Sequence, residues 1–132
     1  MAHKIRILEI NFTLPGAVRL PRIAAVLGYE YFVAWDEITA RLAIERDQPD
    51  LILVCGDLAN NFLAQLRHIY AGPIIAINEV EAKESLKAGA NFHIQDDISE
   101  IGRLLLDIKS WSESSQFEAR ALIGWLSERQ SS

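Results

Sequence analysis

Cys55 closes the most apolar run of the chain, Pro49-Asp50-Leu51-Ile52-Leu53-Val54-Cys55. A thiol there is chemically able to act as a redox sensor, but a lone cysteine at a strand end is more often a small buried hydrophobe. His3, His68 and His93 are far apart in sequence, and no two have the one-turn helical spacing of a metal-binding pair. Glu79, Glu81, Glu84, Asp96 and Asp97 crowd one stretch of the chain. Carboxylates so placed can hold a cation, yet their spacing matches no calcium loop, and a solvated acidic face is the simpler reading. Asn11-Phe12-Thr13-Leu14-Pro15-Gly16 follows a strand-like run, where some α/β folds cradle a phosphate. It lacks a glycine-rich turn, and Pro15 and Pro21 remove backbone donors. With no nucleophile beside a base and no metal cluster, the residues predict no enzyme, no metal and no cofactor.

These groups need elements to position them. Ile5–Ile10, Tyr29–Ala34, Leu51–Cys55, Pro73–Ile77 and Phe92–Ile94 are short, apolar and rich in β-branched residues, and each precedes a helix-like stretch. Leu51–Val54 and Ile74–Ile77 are continuously apolar, as strands buried on both faces of a parallel sheet should be. The expected fold class is α/β, a flavodoxin-like doubly wound sandwich with a five-stranded parallel sheet of order 2-1-3-4-5. Pro15, Gly16 and Pro21 oppose a long regular helix after the first strand. The segment Trp35–Arg46 is expected to be helical, capped by Asp36, with Ile38, Leu42, Ala43 and Ile44 as its apolar stripe. Asn60 or Asn61 starts the next helix, whose Phe62, Leu63, Leu66 and Ile69 are expected to face the sheet before Gly72-Pro73 stops it. Val80–Ala88 ends at Gly89, and Ser99 leads into a last core helix bearing Ile101, Leu104, Leu105 and Ile108.

Composition excludes some functions. At 132 residues and 50% apolar content the chain is the size of one ordinary domain. Its 13 basic residues against 18 acidic ones give a formal charge of -5. That is the wrong sign for direct binding of nucleic acid or an anionic membrane surface. A single cysteine rules out an internal disulfide, and no apolar run nears the length of a bilayer span. A cytoplasmic protein is expected.

Three segments carry a family likeness: Pro49–Val54 before the third loop, Pro73–Ile77 as the fourth strand, and Ala88-Gly89-Ala90 before the fifth. Over 5–109 the chain resembles a response-regulator receiver domain of the CheY-like kind. Residues 110–132 then form a polar, serine-rich linker and an amphipathic C-terminal helix. In the tail, Phe117, Ala121 and Trp125 recur every four residues.

The resemblance implies a phosphorylation site, and here its chemistry is missing. Receivers hold magnesium with an acidic pair after strand one and use an aspartate after strand three as nucleophile. A hydroxyl after strand four and a lysine after strand five sense the new charge. Measured back from Gly28, the acidic pair falls on Asn11 and Phe12. Cys55 stands at the nucleophile position, Asn78 at the hydroxyl, Asp96 at the lysine and His93 at the switch aromatic. Between Asn78 and Ala90 the chain is about four residues, roughly one helical turn, shorter than the family spacing.

A degenerate pseudo-receiver is therefore expected. Such a module would be recognised by a protein partner in a two-component-type signalling pathway without phosphorylation, with a homodimer as one form of that interaction. By resemblance, Lys87, Arg103 and Asp107 are candidate contacts on its output face, and Phe117 and Trp125 are candidates on the tail. Two alternatives stand beside this reading: a small-molecule or cofactor-binding flavodoxin-like domain, or an atypical receiver phosphorylated at Asp57.

Overall fold

Period-two alternation within each apolar run sends neighbouring residues to opposite faces of one parallel sheet. The computed structural model describes residues 5–11, 28–56, 60–79, 81–95 and 97–112. Five strands, β1 (Arg6–Asn11), β2 (Glu30–Ala34), β3 (Leu51–Cys55), β4 (Ile74–Ile77) and β5 (Phe92–Ile94), lie in the order β2-β1-β3-β4-β5. All four pairings are parallel. The described helices are α1 (Glu37–Asp47), α2 (Asn60–Ile69), α3 (Ala82–Ala88) and α4 (Ile98–Ser112). This is the expected architecture and strand order, with strand ends shifted by a residue at most.

The two faces have separate cores. Ile5, Ile7, Leu51, Leu53, Ile75, Ile77 and Ile94 pack with Ile101, Leu104, Leu105 and Ile108 of α4. Leu8, Ile10, Ile52, Val54, Ile74 and Ala76 pack with Ala40 and Ala43 of α1 and with Phe62, Leu63 and Leu66 of α2. Both faces of β3 and β4 are covered, which is why their sequences show no polar alternation.

Helix α1 follows the expected stripe only in part: Ala43 and Ile44 pack on the core as expected, but Ile38 and Leu42 do not. Asp36 caps it as expected: its Oδ1 accepts from Thr39 N at 2.8 Å, and Thr39 Oγ1 faces the Asp36 backbone in a capping box. The Thr39 N–H holds the Asp36 carboxyl below its ordinary range. Ala40 and Ala43 are buried, whereas Ile38 is 71% exposed and Leu42 56% exposed. Small residues let the helix approach the sheet closely, so the alanines rather than the larger side chains define the buried stripe. Ile69 is likewise exposed, against expectation. Tyr70 takes its place against the core, and its hydroxyl donates to Pro49 O at 3.0 Å.

Asp97, not Ser99, opens α4: its Oδ1 accepts from Ser99 N at 3.3 Å and its carbonyl from Ile101 N at 2.9 Å. The helix continues to Ser112, past the expected boundary at Lys109. Phe12, Asp57, Val80, Asp96, Phe117 and Trp125 lie outside the described residues.

Arg67 ties the amino-terminal side of β4 and β5 together. Its Nη1 donates to the carbonyls of Tyr70 (3.2 Å) and Gly72 (2.8 Å), and its Nη2 to Gly89 O (2.9 Å) and Asn91 Oδ1 (2.6 Å). Gly89 has φ +132°, and an added Cβ would stand 3.4 Å from Leu63 O, so the turn that presents this carbonyl needs glycine. Arg67→Ala is expected to cost about 2–3 kcal/mol in urea denaturation. Arg67→Lys should restore only part of it, because an ammonium lacks the planar fork that reaches both loops.

Candidate functional site

Asn11, Cys55, Ile77 and Ile94 stand side by side in register at the carboxyl ends of β1, β3, β4 and β5. This is the edge of the sheet where an open α/β fold presents its site. The expected site residues that are described fall there into two groups on opposite faces.

The first group is on the α4 face. Cys55 is buried, 9% exposed, within the same cluster as Ile77 and Ile94. Gly56 follows at φ +106°, with its N–H donating to Ile77 O at 3.0 Å, so the chain leaves β3 through a backbone conformation that favours glycine. Asn11, the register partner of Cys55, donates from Nδ2 to Glu9 Oε2 at 2.9 Å. The Tyr31 hydroxyl donates to Glu9 Oε1 at 2.6 Å. Glu9 is 0% exposed. Burial first, then the Glu9 charge, the hydrogen bond to Glu9 and the neighbouring Cys55, push the Tyr31 phenol well above its ordinary value of 10.0. The short bond to Glu9 is thus one between a firmly protonated phenol and a buried carboxyl group.

Glu9 and Tyr31 are not among the site residues expected from sequence. The signal was present in Ile5-Arg6-Ile7-Leu8-Glu9-Ile10: an acidic residue at the same phase as Ile5 and Ile7, on a strand paired on both sides, has to be buried. Magnesium, which the fold brings to mind, needs hard oxygen ligands. The described residues here offer a thiol, an amide already bonded to Glu9, and a carboxyl group whose two oxygens accept from Tyr31 and Asn11. That donor set does not fit the ion.

The second group is on the α2 and α3 face. Asn78, 1% exposed, donates from Nδ2 to Ser85 Oγ in α3 at 3.1 Å. Its Oδ1 lies 2.8 Å from His93 Nε2 on β5. His93 is half-buried, and Ser85 is fully buried. Asn78 and His93 therefore meet directly, through a bond that sequence spacing did not foretell.

Elsewhere, Lys87 and Arg103 are exposed and Asp107 is half-buried. Glu79, Glu81, Glu84 and Asp97 are exposed. Among the described residues no three histidine, cysteine or acidic side chains are grouped as metal ligands, and no helix is long and apolar enough to cross a membrane.

No protein-family model and no curated protein matches the chain. Solved structures do. A CheY-like response regulator receiver domain protein from Methanospirillum hungatei JF-1 is 19% identical, with 84% of this chain and 98% of that chain covered at a TM-score of 0.67. An orphan response regulator of H. pylori is 15% identical over 80% of this chain and 94% of that chain, with a TM-score of 0.66. An atypical orphan response regulator, described as having a phosphorylation-independent regulatory mechanism, is 15% identical over 80% of this chain and 93% of that chain, with a TM-score of 0.65. The likeness is one of fold, and the chain has the CheY-like receiver fold.

Proposed function

We propose that this chain is a receiver-type protein-interaction module of a two-component-type signalling pathway, non-enzymatic and independent of aspartyl phosphorylation. One observation carries the reading: the residue at the carboxyl end of β3 is a buried thiol whose register partner, Asn11, is committed to Glu9. Acyl phosphate formation needs a carboxylate nucleophile and anionic oxygens to hold a cation; Cys55 is no carboxylate, and both Glu9 oxygens accept from Tyr31 and Asn11. With no phosphoryl charge to sense, information must pass through surfaces that exist all the time. Exposed Lys87 in α3 and Arg103 in α4, with half-buried Asp107 in α4, are the proposed contacts for a protein partner or a second copy of the chain. The similar atypical regulator with a phosphorylation-independent mechanism supports the plausibility of such a module.

The test is incubation of the full chain with acetyl phosphate and Mg²⁺, followed by intact mass and peptide mapping. No added phosphate is the expected result. A stable phosphate on Asp57 would overturn the reading in favour of an atypical receiver. Pull-down with Lys87→Glu and Arg103→Glu variants then tests the surface, and both are expected to lose partner capture while the fold is retained.

A further inference from the structure

The Asn78 side chain joins three elements at once. It leaves the end of β4, gives its amide hydrogens to Ser85 in α3, and turns its oxygen to His93 in β5. Its backbone N–H also donates to Ile94 O at 3.3 Å. The Asn78 amide thus has one end on the Ser85 hydroxyl and the other on the His93 imidazole. Asn78 and Ser85 are both sealed from solvent. Moving α3 away from β5 breaks buried hydrogen bonds between them, at a free-energy cost.

We infer that Asn78 is a permanent latch, holding α3 against β5 in one conformation and so presenting the neighbouring surface without an activating event. This rests on the function proposed above and specifies its regulation: the face that carries Lys87 is fixed rather than switched. A released state is held below about one per cent of molecules, at the low end of ordinary two-state proteins.

The experiment uses the full chain labelled with ¹⁵N. Relaxation dispersion should be flat from 81 to 95 apart from position 89, at the glycine turn. Asn78→Ala should raise amide hydrogen exchange at Ser85, Leu86 and His93 by at least about tenfold relative to β1 and β3. If that variant does not fold, Ser85→Ala removes one arm alone and should give a smaller rise confined to α3. Dispersion across α3 in the unaltered protein, or unchanged exchange in the variants, would each overturn the latch. These outcomes are separable from phosphorylation: a chain that accepts phosphate yet keeps flat dispersion refutes the proposed function and leaves the latch standing.

Discussion

Tyr31→Phe is expected to destabilise the protein by about 2–3 kcal/mol, although it removes a single oxygen atom from a half-buried side chain. The lost hydroxyl is the 2.6 Å donor to Glu9, and Glu9 is fully buried at the centre of the sheet. The variant leaves that carboxyl group short of a strong donor in surroundings that cannot supply water. Glu9→Leu tests the same pair from the other side, since replacing a buried charge by an apolar group of similar volume is often tolerated once its partners are adjusted. The double variant Glu9→Leu with Tyr31→Phe should therefore cost less than the sum of the two single variants. A coupling of about 1–3 kcal/mol is expected from urea denaturation of the cycle. Strict additivity would mean that the pair contributes nothing as a pair.

The same phenol sets an alkaline limit. A tyrosine whose pKa is raised by folding stabilises the fold fully below the unfolded value. As pH climbs past about 10, the unfolded chain gives up a proton that the folded chain keeps, and stability falls. Tyr70 adds to the trend: burial and then the charge of Asp50 raise it, partly offset by Arg67. Each tyrosine held protonated contributes a slope approaching about 1.4 kcal/mol per pH unit. Tyr31→Phe should have the shallower slope above about pH 10, with the Tyr70 share remaining.

The order of the strands was readable because apolar runs of four to six residues, separated by helix-length segments, admit few parallel topologies. The orientation of α1 was readable in part. Ala43 and Ile44 face the core as expected, but Ile38 and Leu42 do not, because Ala40 and Ala43 allow the closer approach to the sheet. At the site, spacing placed Asn11, Cys55, Asn78 and His93 at the carboxyl end of the sheet and identified their types. It did not say which would meet. Register pairs Asn11 with Cys55 on the α4 face, while alternation along β4 turns Asn78 to the other face, toward Ser85 and His93. Glu9 is not among the expected residues because the resemblance implies acids after strand one, and this acid lies within it.

Cys55→Asp is expected to yield an unstable protein and no phosphoacceptor, even though it places a carboxylate at the end of β3. The new charge would sit in a 9% exposed position on the face that already holds Glu9, with Asn11 linking the two sites. A buried carboxylate without a compensating partner costs about 3 kcal/mol or more at neutral pH. Burial and the charge of Glu9 both raise its pKa in the fold. Lowering the pH should therefore shrink the deficit, as the introduced group becomes neutral in the folded state before it does in the unfolded one. Adding Glu9→Leu should relieve part of the loss by removing the like charge. Acetyl phosphate with Mg²⁺ should still leave position 55 unmodified, because the Asn11 amide supplies no second anionic oxygen for the ion. Mg²⁺-dependent phosphate at position 55 in the single variant would show that one substitution had silenced the site. Its continued silence would place the change in the whole constellation of Glu9, Asn11, Tyr31 and residue 55, where a buried hydrogen-bond network occupies the ground a metal would need.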